Sequence, residues 1–527
     1  MGEASCMRVA GLMAAVVAFI APAAEPAARP GKVHITVSKG TTYVLGPRNP
    51  DGTIDYVAAA NALLSKGVTR ENNAAIPLLR VLGPNALDEK MRDRTLKALG
   101  LDALPADGDY FLSKDEYVEK AYPDDDQQQL DALERMGAST DKAGRGPISP
   151  QDHREVAEWV RWNAGALQRV TAAAKLPRHF VPWVSACDPP EMLDGLVPLR
   201  HGSLHEVWLA LQARAMLRAH SGELDRALGD LQTVRRLARL SAQRGLLLDV
   251  LIGAATNRSA LESMQGLATS DRLDAEQACR LIAAVDTLPP LADPYPACMA
   301  VEHLFALDCV MRFARHGLDG ATRFYSVSFG KKEDPLPPVD LDIDLMLRLT
   351  NEDWQAVVAA GTKRSYAERE KARAALDKIS DPDVAAILEQ HAGSFDYRKR
   401  LRALIARVGA GNRERLTRAV YELPPIGGKS SHKAFGEMFE SAAFRRELVK
   451  LAAALRRYRC RTGQFPNRLA ALVPADIPSI PKDRFSGEPL IYRRTAKGYL
   501  LYSVGPNKAD DGGIEKYHAK DLVVEAE

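Results

Sequence analysis

Cysteine is scarce in this chain, with six in 527 residues, and no two of them stand as C-x-x-C. That spacing is what a zinc ribbon or a thioredoxin-like redox site requires, so neither is signalled. The chain also lacks a surplus of either charge: 71 Lys and Arg face 68 Asp and Glu, for a formal net charge of +3. A dedicated nucleic-acid binder would gather excess Lys and Arg on one face; here the two signs interleave almost everywhere. No segment after Ile20 is long and apolar enough to span a bilayer, which takes about 20 apolar residues. The patterns G-x-S-x-G, H-E-x-x-H and G-x-G-x-x-G are all missing. No nucleophile elbow, zinc-protease helix or dinucleotide loop is therefore announced.

What is present describes an exported globular protein. Apolar residues make up 46% and charged residues 26%, which fits packed structure rather than disorder. The length implies roughly three or four domains. Arg8 precedes an apolar run, Val9 to Ile20, followed by Ala21-Pro22-Ala23-Ala24. These are the parts of a secretory signal peptide, residues 1–24. The run is shorter than a bilayer span, which favours cleavage, whereas Glu3 weakens the basic start and leaves an uncleaved anchor as the alternative. The expected location is the periplasm or cell envelope, with secretion or N-terminal anchoring as variants. Cys6 precedes the run and is not placed as a lipoprotein cysteine. Cleavage would leave Cys187, Cys279, Cys298, Cys309 and Cys460, an odd set with at least one unpaired. Cys298 and Cys309 share a helical face but lie about 16 Å apart along it, too far to bridge. Most of the five read as small buried hydrophobes.

Residues 25–150 read as a helical and loop region. It opens with a polar stretch holding two β-like pieces, Val33 to Val37 and Tyr43 to Leu45. From Ile54 the pattern turns helical, with Tyr56, Ala59, Ala60, Leu63 and Leu64 on one face. Thr69 is the expected N-cap of the next helix, ahead of Ile76, Leu78 and Leu79. Asp124 to Gln129 and Ala143 to Pro150 read as loops. Residues 151–330 are expected to form a helical domain. Within it, Leu209 to Leu240 reads as two helices joined at Ser221-Gly222-Glu223-Leu224, with Ala213, Ala215 and Met216 facing Ala227, Leu228, Leu231 and Val234. That hairpin resembles a tetratricopeptide (TPR) unit, but no second copy occurs, so an irregular α-bundle is the competing reading. A Pro-rich linker, Asp334 to Pro338, introduces a second helical segment, residues 331–430, closed by Pro424-Pro425-Ile426-Gly427-Gly428. The fold class expected is thus mainly α, ending in a small α+β module, residues 440–527.

That module carries the most specific words in the sequence. Phe444 to Arg459 form an amphipathic helix through Leu448, Leu451, Leu455 and Tyr458. It is stopped by Gly463 and Pro466. A short helix near Asn467 to Val473 and two strands, Leu490 to Arg494 and Tyr499 to Val504, should follow. The segments RYRCRTGQFPNRLAALVP, IPKDRFSGEPLIYRR and GYLLYSVGPNKADDGG, in this order, resemble the globular part of the major pseudopilins of type II secretion. The resemblance covers Phe444 to Gly513. The whole arrangement, a long helical region ending in this module, is similar to one that recurs in exported proteins of planctomycete-like bacteria. Pseudopilins assemble through a long apolar helix that follows a short cleavage site; nothing of that kind precedes Phe444, so polymerisation is not implied. An acidic loop near the C-terminus often holds calcium in that family. The resemblance thereby implies Asp510 and Asp511 as metal ligands with Asn507 as an oxygen donor, although calcium asks for six to eight oxygens.

Other constellations fail on their own geometry. Gly428-Lys429-Ser430 lacks the earlier glycine and preceding strand of a P-loop. Ser430 and Lys433 match S-x-x-K without its companion motifs. His201 and His205, beside Glu206, have a zinc-compatible spacing, but Gly202 and Ser203 suggest that the helix begins between them. Asp340, Asp342 and Asp344 would share one face of a strand, or mark a helix start, and Leu345 stands where an EF-hand needs Gly. Trp159, Trp162 and Trp183 read as core or groove aromatics. The expectation is a non-enzymatic helical scaffold of the envelope, contacting other envelope proteins. An exported hydrolase assembled from distant residues is the alternative.

Overall fold

The computed structural model describes residues 33–194, 201–291, 294–322, 334–376, 378–391, 397–423, 431–514 and 521–526. Residues 1–24, Gly428 to Ser430 and the side chains of His201, Cys298 and Lys433 lie outside the described set. The chain is mainly helical, with a small antiparallel sheet near its C-terminus. Among the described residues no helix is long and apolar enough to cross a membrane.

Seven short helices come first: α1 (Tyr56–Leu64), α2 (Ala75–Leu82), α3 (Arg92–Ala98), α4 (Lys114–Ala121), α5 (Asp126–Ala143), α6 (Arg154–Trp162) and α7 (Ala164–Ala173). Capping defines several of them. Ser113 and Glu116 form a reciprocal capping box on α4, and Asp125 accepts from Gln128 N at 2.9 Å to start α5. The polar run at Asp124 to Gln129 is therefore a helix start, not a loop, because its carboxylates satisfy the first orphan N–H groups. Thr69 caps no helix. It closes a turn with Asn72, while α2 begins at Ala75 with no side-chain cap. Val33 to Val37 makes no strand: Val33 N donates to Asp51 O and Thr36 N to Asp344 Oδ1, and its apolar side chains pack inward.

The hairpin follows as α8 (His201–His220) and α9 (Leu224–Ser241), turning at Gly222 with φ +81°. Ala210, Ala213, Ala215 and Ala227 are fully buried at this crossing. Then come α10 (Leu247–Thr269), α11 (Ala275–Asp286) and α12 (Pro294–Thr322), the last interrupted at Gly317 with φ +63°. Five further helices follow: α13 (Ile343–Gly361), α14 (Tyr366–Leu376), α15 (Pro382–Gln390), α16 (Tyr397–Val408) and α17 (Arg413–Glu422). The closing elements are α18 (Ser431–Thr462), a 3₁₀ turn at Leu469–Leu472, β1 (Ile491–Arg494), β2 (Tyr499–Ser503) and β3 (Leu522–Ala526). The helix starts well before Phe444, and β3 was not foreseen. It pairs with β2 from Tyr499↔Ala526 to Ser503↔Leu522, placing β1 at an edge.

Two large cores result. One joins α2 to α11 with α18 and the sheet. The other gathers α1, Trp183 and Met192, α12, the start of α13, and α15 to α17. In the first, α18 lies along α10 and α11, with Ala442, Leu448, Val449, Leu451, Ala452 to Ala454 and Leu455 all fully buried. At Gly266 on α10 a methyl group would sit 1.8 Å from Arg145 O, so only glycine lets the 143–146 loop approach.

Candidate functional site: the charged face of the central helix

Along α12, Asp308, Arg312, Arg315 and His316 fall at spacings of four, seven and eight residues. That arithmetic puts them on one helical face. The helix runs through the second core beside Leu304, Leu307, Val310 and Met311, so the charges are buried and must find partners. Asp308 is 0% exposed and accepts Met192 N at 2.7 Å. Arg315, also fully buried at its side chain, reaches Asp51 Oδ2 at 3.2 Å and Thr53 Oγ1 at 2.5 Å. Its Nη1 lies 3.6 Å from Glu191 Oε1 and 4.0 Å from Asp308 Oδ1. Arg312 pairs with Glu191 Oε2, and His316 Nε2 lies 2.7 Å from Glu191 Oε1.

The Glu191 loop is fixed from below. Ser185 Oγ donates to Asp194 Oδ2 at 2.9 Å, Cys187 N also points at that carboxylate, and Glu191 N donates to Ser185 Oγ at 3.2 Å. Burial pushes Asp308 up to about 6, although Arg315 pulls it down. Burial, then Arg312 and Arg315, hold His316 down at about 4. Burial also raises Asp51, but its hydrogen bonds from Thr53 and the Arg315 charge outweigh that and leave it below the usual range. Chemically, the cluster can store a proton at Asp308 near mildly acidic pH. Glu191 and Asp308 both face the Arg315 guanidinium.

The other end of α12 carries a second buried set. Glu302 accepts Leu247 N at 2.6 Å and is pushed up to about 7 by burial and the nearby Asp249. Arg244 pairs with Asp249 at 3.5 Å. His303 Nε2 meets Asn351 Oδ1 at 2.7 Å, its ring lies 4.4 Å from that of Tyr43, and burial holds it at about 4.

The residues expected from sequence are gathered only in part. Asn507, Asp510 and Asp511 share one loop, but protein donors occupy them. Asp510 Oδ1 accepts Tyr502 OH at 2.8 Å and Gly512 N at 2.9 Å, and Asn507 Nδ2 donates to Asp511 Oδ2 at 2.8 Å. Asp521, which the sequence did not single out, is fully buried and accepts Gly513 N at 2.8 Å, tying this loop to β3. Among the described residues, no group of three or more His, Cys, Asp or Glu is placed to hold a metal ion.

Corrections apply elsewhere. Helix α8 begins at His201, not between the histidines. His205 packs edge-on against Trp208 and is held at about 4 by burial, while Glu206 accepts Lys114 N at 3.0 Å. Of the two readings of the alternating aspartates, the helix start is the one found: Asp342 caps α13 through Leu345 N, Asp344 holds Thr36 N, and exposed Asp340 meets Arg413 at 3.1 Å. Trp159 is buried with its N–H on Leu112 O, but Trp162 is 48% exposed against Tyr117. Cys187 and Cys460 are exposed and Cys279 and Cys309 half-buried, so these four are not core residues.

No family model, curated protein or solved structure matches this chain. Its sites therefore rest on their own geometry. The α12 cluster escaped the sequence reading although Asp308, Arg312, Arg315 and His316 mark a charged stripe on an apolar helix. Asp51 and Glu191 come from loops and carry no periodic signal.

Proposed function

We propose that this chain is a non-enzymatic exported scaffold, a helical protein-interaction protein of the cell envelope. Its C-terminal pseudopilin-like module is held against the helical body, and the α8–α9 pair serves as a TPR-like contact unit. The observation that carries the reading is Arg445 on α18. Its buried side chain donates to Gln265 Oε1 of α10 at 3.2 Å and to Val523 O of β3 at 3.0 Å. A helix bound on both sides in this way is used internally rather than as a polymerisation shaft. The α12 charges support the same reading, being spent on one another. The sheet leaves β1 at its edge with Arg493 exposed, a surface open to a partner strand.

The test is affinity capture of the tagged mature protein from its native envelope, alongside Arg493→Glu. Deleting the module would open the first core, so a point variant is the cleaner control. A reproducible set of envelope proteins lost from the variant supports the reading. Recovery of none with either form overturns it. Calcium at Asn507, Asp510 and Asp511 belongs to this proposal as a module-stabilising ion. It would require the Asn507 amide to turn its oxygen inward, and a rise in Tm with calcium that Asp511→Asn removes is the result it needs. One observation favours an exported hydrolase instead: His316, partly exposed, is bonded to Glu191. Hydrolysis of a substrate panel that disappears in His316→Asn, with the melting curve unchanged, would support that alternative.

A further inference from the structure

The C-terminal end of α11 is surrounded by cations from two other helices. Arg235 of α9, almost fully buried, donates to Val285 O at 3.1 Å and to Ala284 O at 3.3 Å. Arg239 donates to Pro289 O, and to Arg235 O at 3.0 Å. From α18, Arg446 donates to Leu288 O at 3.3 Å and pairs with Asp286, which also meets Lys450 at 3.5 Å. Arg236 lies within electrostatic reach of Arg235 and Arg239. It is half-buried, and its side chain has no hydrogen bond or ion pair to another described residue.

A helix C-terminus accounts for part of this. Its macrodipole is worth about half a negative charge, and Arg235 and Arg446 answer it by hydrogen-bonding the last carbonyls. The remainder is unbalanced. Among the described residues five cations stand against Asp286 and Glu447, and Glu447 is already paired with Lys450 at 3.4 Å. Arg446 Nε is buried without a hydrogen-bond partner. Burial, then repulsion from Arg239 and Arg446, pushes Arg235 down to about 9. Burial, then Arg446 and Arg236, pushes Arg239 down to about 10. Like charges crowded at this cost are relieved by a counter-anion, and planar guanidiniums match oxyanions through paired N–H donors.

The geometry points to an oxyanion site at this junction of α9, α11 and α18, where Arg236, Arg239 and Arg446 take a phosphate-type dianion over the Arg235 base. The phosphate could arrive as a soluble ion or as a lipid headgroup. Neither the scaffold reading nor the hydrolase alternative requires this site.

Thermal unfolding of the full chain in millimolar inorganic phosphate, against chloride at matched ionic strength, tests it. Phosphate should raise the melting midpoint above the chloride control. Arg236→Gln should lower phosphate affinity at least about tenfold, one charge-assisted contact at a desolvated site. Arg236→Lys should restore part of it. Because Arg236 bonds nothing else described, its variants should fold; Arg239→Gln serves as the second variant. An equal midpoint in chloride, or an undiminished phosphate increment in Arg236→Gln, overturns the assignment. Co-sedimentation with phosphatidylglycerol vesicles but not phosphatidylcholine vesicles, reversed by phosphate, assigns the lipid source. Phosphate binding without sedimentation assigns the soluble one.

Discussion

Where α10 meets α18 and the 143–146 loop, the chain closes mainly with alanine, leucine and glycine, whereas α12 is held by three carboxylates answering two arginines and a histidine. The first seam gains its stability from dispersion and burial and leaves no spare volume. The second is costly to build, since each ion is taken out of water and recovers that only through its partners. The two should fail differently. The seam should resist any added atom, and the charged face should tolerate a change of shape better than the loss of a partner.

Arg315→Met should give the largest effect. It leaves Asp51, Glu191 and Asp308 buried without their shared cation, at a cost of about 3–5 kcal/mol, read as a fall in the urea midpoint of the second core. A loss below about 1 kcal/mol would mean that water already reaches the cluster. Gly266→Ala should follow at about 1–3 kcal/mol, because its methyl group meets backbone rather than a movable side chain. A neutral result would show the 143–146 loop to be loosely held and would weaken the contrast.

The pH dependence sharpens the comparison. The folded value of His316 is about 4, below the ordinary histidine value near 6.5, so its contribution is intact above about 6.5 and is lost as pH falls toward 4. Asp308 has the opposite sign. Its folded value of about 6 exceeds the ordinary ~3.9, so its contribution is present at low pH and is lost as pH rises through about 6. The two offset each other in one window. Asp308→Asn should therefore make stability climb more steeply with pH between about 4 and 6.5 than in the parent, while Gly266→Ala should run parallel to the parent. Parallel profiles for all three would contradict the assignment. The smallest effect is expected from Tyr502→Phe, which removes one hydrogen bond to Asp510 and should cost about 0.5–1.5 kcal/mol.

Legibility differed between the regions for physical reasons. The α8–α9 hairpin could be read because Gly222 and the facing alanines are local signals, and α18 because Leu448, Leu451 and Leu455 keep helical spacing. The full burial of Ala452 to Ala454 was not foreseen, because Arg446, Glu447 and Lys450 beside them read as the solvated face of an amphipathic helix. Val33 to Val37 misled because alternation reports which side chains turn inward, and Ile35 and Val37 do so without a neighbouring strand. Asp124 to Gln129 misled because polarity suits caps as well as loops. Strand β3 lies beyond the loop it closes, far from the hairpin whose turn announces β1 and β2. The charged face was half legible: α12 announces its stripe, but its carboxylate partners sit more than 100 residues away in sequence.

The link from Gln265 to Val523 joins positions 258 residues apart. A chain emerging N-terminus first could form the α8–α9 hairpin early, yet the α10 seam must wait for α18 and then for β3. Until then the flank of α10 that α18 covers stays open, a long-lived sticky surface during synthesis. The order of assembly, more than final stability, would then set the need for a holding chaperone.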